Sequence, residues 1–213
     1  LKPSNVVLHV PESGGAPHVK LIDFGVARSD EGTKLTRTGT VVGTACYLSP
    51  EQAGGREIDG RVDVWAAGVL FYELLVGETP FERLGVQETL ASILFADIPK
   101  VQSSRHDVPE GVARVIEGAL ERELDERFAS AASMRIALEE AMVSAGFSQD
   151  ARWLDELRTD HDWDPEKLSL APTLLSETSF SGIRVRPTRP AWTKDPRKRR
   201  AAWGVLLAVA TCL

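Results

Sequence analysis

The chain has 213 residues, with 31 acidic against 25 basic side chains, a formal net charge of −6 and 43% hydrophobic residues. That apolar share suffices for a core and excludes wholesale disorder, and the length allows one domain with a tail. The acidic balance argues against a nucleic-acid-binding body, and only two widely separated cysteines, Cys46 and Cys212, argue against a disulfide framework and suit a reducing compartment.

In chain order, Leu1-Lys2-Pro3-Ser4-Asn5 is followed by two β-branched runs, 6–10 and 18–22, joined by a Gly- and Pro-rich stretch. This pattern predicts a hairpin with a loose loop, which delivers Asn5 and Asp23 to the same end. His9 and His18 flank the turn, where a metal site and ordinary strand histidines are alternative readings. Gly25, after Asp23-Phe24, frees the backbone to aim the Asp23 carboxylate. Residues 26–42 are polar without a helical stripe, which predicts an adjustable loop; it carries Thr36, Thr38 and Thr40. Ser49-Pro50-Glu51 predicts a Pro-initiated helical turn. Beside it, Cys46 reads either as a small packing residue or as a redox-sensitive thiol.

Residues Arg61–Val76 are apolar nearly all round, the mark of a buried helix, and Gly77 ends it. Three amphipathic helices are predicted over 86–96, 109–124 and 131–145, with Pro109-Glu110 in a first turn and Ser130 as an N-cap. Their role is packing around the buried helix.

Taken together, Lys2-Pro3-Ser4-Asn5, Asp23-Phe24-Gly25, Gly43-Thr44 through Ser49-Pro50-Glu51, Asp63-Val64-Trp65 and Glu126-Arg127-Phe128 carry a resemblance. In this order and at this spacing they resemble the catalytic and activation segments of a bacterial membrane-anchored (Hanks-type) serine/threonine protein kinase. The resemblance covers about residues 1–143. It implies a mainly α fold with a small β-hairpin, the large (C-terminal) lobe of a kinase, with the N-terminal lobe missing from these residues. The implied reaction is transfer of the ATP γ-phosphate to Ser/Thr hydroxyls of proteins, with Mg²⁺, or Mn²⁺ in its place.

Within that resemblance Lys2 would stabilise charge on the transferring phosphate, while Asn5 and Asp23 would hold the metal. Phosphoryl transfer is mostly positioning plus charge neutralisation, and hard oxygen donors suit Mg²⁺. Phe24 would pack into the core and report the active arrangement. Thr44 would line the substrate residue, and Lys2 with Thr44 would favour Ser/Thr over Tyr. Thr36, Thr38 and Thr40 would be activation-loop phosphorylation sites, each phosphate adding about −1.5 to −2 charges. Glu51 would form a buried ion pair with Arg127, and Asp63 would bond the catalytic-loop backbone.

The catalytic Asp of such kinases would immediately precede Leu1, with the glycine-rich loop and its strand lysine further upstream. The 213 residues alone are therefore expected to be inactive, a C-terminal-lobe fragment. The alternative is a pseudokinase, or a truncated membrane-tethered phosphoprotein scaffold without catalysis.

Beyond a kinase portion at 1–145, residues 146–196 read as a mostly flexible juxtamembrane linker. Trp153, Leu154 and Leu157 suggest one short helix there, and Trp163 and Trp192 are candidate docking anchors. Lys194 and Arg197-Lys198-Arg199-Arg200 then meet an uncharged run, 201–213. A basic flank before an apolar run fits a membrane helix entered from the cytoplasm. About 13 residues span roughly 20 Å against a hydrocarbon core of ~30 Å, so the helix would be truncated; a hydrophobic cap on the domain is the other reading. The expected setting is the bacterial inner membrane, single-pass, with the kinase part cytoplasmic. The expected partners are protein substrates and a second copy of the chain, in autophosphorylation or a homodimer.

Overall fold

A helix without a polar face needs protein on every side, and the chain is built to provide it. The computed structural model describes residues 1–9, 18–22 and 45–147. A 3₁₀ turn at Pro3–Asn5 leads into β1 (Val6–His9), which pairs antiparallel with β2 (His18–Leu21). The register sets Val6 opposite Leu21 and His9 opposite His18. Six α-helices follow among the described residues: α1 (Pro50–Ala53), α2 (Arg61–Val76), α3 (Val86–Phe95), α4 (Val101–Ser104), α5 (Glu110–Ala119) and α6 (Ala131–Ser144). The result is mainly helical with one small two-stranded sheet.

The buried helix is α2, and it has the predicted bounds. Val64, Trp65, Ala67, Val69 and Phe71 are fully buried, and Trp65 stacks on Phe81 with ring centroids 5.2 Å apart. Gly77 ends the helix at φ +91°, a conformation that costs other residues about 1–2 kcal/mol. Helices α5 and α6 cover α2 with Val112, Ile116, Met134 and Leu138. At Gly68 the approach of α5 is so close that a Cβ would stand 2.9 Å from the Ala119 Cβ.

Caps set the starts of two helices. Ser49 accepts from the Gln52 N–H at 3.3 Å while its own N–H donates to Gln52 Oε1 at 3.0 Å, a capping box that begins α1. Ser130 and Ser133 make the same reciprocal arrangement before α6.

Two boundaries differ from the sequence expectation. The predicted 109–124 helix stops at Ala119, and the carbonyls of Glu121 and Arg122 beyond it accept from the Arg127 side chain. A short helix also forms at Val101–Ser104, where the apolar pattern is too brief to announce one. Among the described residues no helix is long and apolar enough to cross a membrane; residues 201–213 lie outside them.

Candidate functional site

The site begins at the base of the hairpin. The 3₁₀ turn is closed by the Asn5 N–H donating to the Lys2 carbonyl at 2.9 Å, and Ile22 N–H donates to the Asn5 carbonyl at 2.9 Å. That second bond seats the residue before Asp23 directly against Asn5. Ser4 Oγ donates to Asn5 Oδ1 at 3.3 Å, so the amide oxygen is already oriented by a neighbour. Lys2, in extended backbone, and Asn5 are both half-buried. Asp23, Phe24, Gly25, Thr36, Thr38, Thr40 and Thr44 lie outside the described residues. His9 is exposed, and no cluster of three or more His, Cys, Asp or Glu that could hold a metal occurs among the described residues.

The far end of the segment is fastened by Glu51 and Arg127, 76 positions apart. Arg127 grips the carboxylate with both ends of its guanidinium, Nη1 to Oε1 at 2.8 Å and Nη2 to Oε2 at 3.2 Å. The same arginine donates to the carbonyls of Glu121 (2.8 Å) and Arg61 (3.1 Å), and its guanidinium carbon lies 5.1 Å from the centre of the Trp65 ring. Both side chains are sealed from solvent, at 0% and 2% exposure. Burial pushes the Glu51 carboxyl upward, but the Arg127 hydrogen bonds, with help from backbone and Ser49, outweigh it and hold the carboxyl below its ordinary value. Bidentate geometry is what makes a buried pair of this kind viable.

Asp63 is exposed in the first turn of α2. Its neighbour Arg61 does the local work, donating to Asp59 and to the Leu124 carbonyl at 2.9 Å.

One feature had no sequence signal. Tyr47 donates its hydroxyl to Glu73 on α2. Burial raises the Glu73 carboxyl, the Tyr47 hydrogen bond lowers it, and the nearby Glu82 raises it further, so the outcome is upward. Burial likewise pushes the Tyr47 hydroxyl well above its usual range, with Glu73 adding to the effect. Burial also pushes the Cys46 thiol up to about 12, against a lowering hydrogen bond with Thr79. Cys46 is buried at 2% exposure, which fits the packing reading.

The protein kinase domain pattern matches residues 1–140. The chain is 40% identical over 144 residues to the serine/threonine-protein kinase Pkn1 of Myxococcus xanthus, covering 67% of this chain and 21% of that protein. It is 33% identical over 221 residues to PknB of Mycolicibacterium smegmatis (100% and 32%), and 40% identical over 152 residues to PkaA of Streptomyces coelicolor (70% and 27%). A solved structure, the twitchin kinase region from C. elegans, aligns with 65% of this chain and 23% of its own at 29% identity and a TM-score of 0.49. The chain belongs to the protein kinase domain family, among relatives named as bacterial serine/threonine kinases. It spans about a third or less of the length of these three curated relatives.

Proposed function

We propose that these residues form the large-lobe portion of a membrane-anchored serine/threonine kinase that moves the γ-phosphate of ATP onto protein hydroxyls. The observation that carries the reading is the 2.9 Å bond from Ile22 N–H to the Asn5 carbonyl, which holds the approach to Asp23 against Asn5. The Asn5 amide oxygen and the Asp23 carboxylate would together make a hard-oxygen donor set, and such a set fits Mg²⁺. The Mg²⁺–ATP pair would supply the phosphate and neutralise its charge.

Each residue then has a distinct task. Asn5 and Asp23 hold the metal side of the nucleotide in place. Lys2 lies on the same turn as Asn5 and offsets negative charge on the oxygens of the phosphate in flight. Thr44 lines the acceptor hydroxyl. Thr36, Thr38 and Thr40 take phosphates that order the loop between Asp23 and Ser49. The buried Glu51–Arg127 pair fixes the far end of that loop to the helical core. Residues 197–213 tether the whole to the inner membrane, kinase part inward.

Kinetics of the full-length parent test this. Asn5→Ala and Asp23→Ala should each lower kcat by roughly 10²-fold or more, the scale of losing one preorganised electrostatic contact. The Asn5 variant should also need more Mg²⁺. Parent-like turnover in both variants would remove the metal-ligand assignment. The 213 residues alone should turn over no ATP, and activity from them would overturn the lobe assignment.

A further inference from the structure

The segment that Glu51 fastens to the helical core is fastened a second time, just upstream, by a contact that the phosphotransfer chemistry does not use. Ala45, Cys46 and Ser49 are buried, and Tyr47 and Leu48 pack against the core cluster. The turn closes on itself, with Leu48 N–H donating to the Ala45 carbonyl at 3.2 Å. From this turn the Tyr47 hydroxyl reaches a residue 26 positions away, donating to the Glu73 carboxylate on α2. Cys46 beside it is tied in another direction, by a hydrogen bond with Thr79 in the stretch after α2.

Position 73 is a poor place for a carboxylate unless something nearby needs one. Glu73 lies in the last turn of α2, and its own carbonyl accepts from the Gly77 N–H at 2.7 Å. The C-terminal end of a helix favours cations, so the helix dipole opposes a negative charge there. Burial opposes it as well, and the nearby Glu82 adds a second carboxylate. Among the described residues no lysine or arginine pairs with Glu73 in compensation. What the carboxylate does have is the Tyr47 hydroxyl, which gives the turn at 45–48 a fixed direction relative to α2. Charged groups held against such opposition are concentrated at functional sites. Thr44 is the residue immediately before this turn.

We propose that the Tyr47–Glu73 hydrogen bond is a positioning contact for the protein acceptor: it orients the turn at 45–48 and, through it, Thr44 against the incoming hydroxyl. This rests on the role of Thr44 under the phosphotransfer reading. Tyr47 and Glu73 are positioning residues that act through the segment and touch no reacting atom. The nucleotide side, assigned to Lys2, Asn5 and Asp23, does not depend on the contact.

Steady-state kinetics of the full-length parent test the proposal, with an Asp23→Ala copy of the same protein as acceptor so that only the parent transfers phosphate. Tyr47→Phe keeps the ring and removes the donor. It should lower kcat/KM for the acceptor about tenfold, the scale of one hydrogen bond to a charged group, while the KM for ATP and the slow hydrolysis of ATP without acceptor stay at parent values. Glu73→Gln still offers an oxygen to the Tyr47 hydroxyl and should stay within about twofold of the parent. Glu73→Leu should match Tyr47→Phe, and the two together should lose no more than either alone. An acceptor kcat/KM within about twofold of the parent in Tyr47→Phe overturns the proposal. So does an equal rise in the KM for ATP, which marks a general loosening of the lobe, and so does a Glu73→Gln loss as large as that of Glu73→Leu, which assigns the effect to charge. A parent that transfers no phosphate removes the phosphotransfer reading and the proposal with it, a result distinct from the other three.

Discussion

Breaking the Glu51–Arg127 pair from one side should cost far more than removing both partners. Arg127→Met deletes two bonds to the carboxylate and the donors to the Glu121 and Arg61 carbonyls, and it leaves Glu51 at 2% exposure without its cation. A lone buried charge of this kind costs about 3–5 kcal/mol. At about 4 kcal/mol the expected fall in Tm is about 8–16 °C for a domain of this size. The double variant Glu51→Met with Arg127→Met should recover part of the loss, because no uncompensated charge remains. Urea denaturation of the parent and of the three variants closes a double-mutant cycle, with a coupling expected within the usual range of about 0.5–3 kcal/mol. The pH dependence carries a sign: the Glu51 carboxyl is depressed below its ordinary 4.5, so the pair stabilises fully above that value and is lost as pH falls through the folded value. A loss under about 1 kcal/mol for Arg127→Met, or a coupling of zero, would refute the reasoning.

Three further outcomes follow from the same structure. Gly68→Ala should destabilise despite the better helix propensity of alanine, since its Cβ meets Ala119 at 2.9 Å and Leu120 at 3.1 Å; chemical denaturation should register a loss of about 1–2 kcal/mol. Glu73→Gln keeps a partner for the Tyr47 hydroxyl but removes a carboxylate whose ionisation is disfavoured by burial. Its folded value is raised, so ionising it costs the native state above the ordinary value of 4.5, and the Tm gain from Gln should grow from pH 4.5 upward and vanish below it. Ser130→Ala removes the cap of α6 and should cost about 1 kcal/mol by urea denaturation, with Ser130→Asp restoring most of it.

Much of this architecture is legible because local chemistry and burial agree. The bounds of α2 can be read directly, since Val64 through Leu70 leave no polar face and Gly77 takes the one conformation that ends a helix there. The hairpin is legible from β-branched runs around a Gly- and Pro-rich stretch. The Glu51–Arg127 pair is legible only through the family resemblance, because nothing local to either residue indicates a partner 76 positions away. Tyr47 and Glu73 were not legible as a pair, since each alone is compatible with a surface position.

What periodicity misses has a common physical form, namely arginines that satisfy the ends of helices belonging to other parts of the chain. Arg105 donates to the Leu75 carbonyl in the last turn of α2, and is held in place by Asp107 at 2.8 and 2.9 Å. Arg122 donates to the carbonyls of Ser92, Ile93 and Ala96, the C-terminal end of α3. Arg127 serves the carbonyls just beyond α5. A helix leaves its last four carbonyls without internal partners, and a buried end needs a donor from elsewhere. Each of these donors comes from a connecting segment rather than from a helix, so the same contacts that end the helices also fix the loops. The 121–128 stretch illustrates this: the guanidinium of Arg127 satisfies its carbonyls, lies over Trp65 and reaches Glu51. A single side chain thereby joins the stretch after α5 to the segment entering at Ser49.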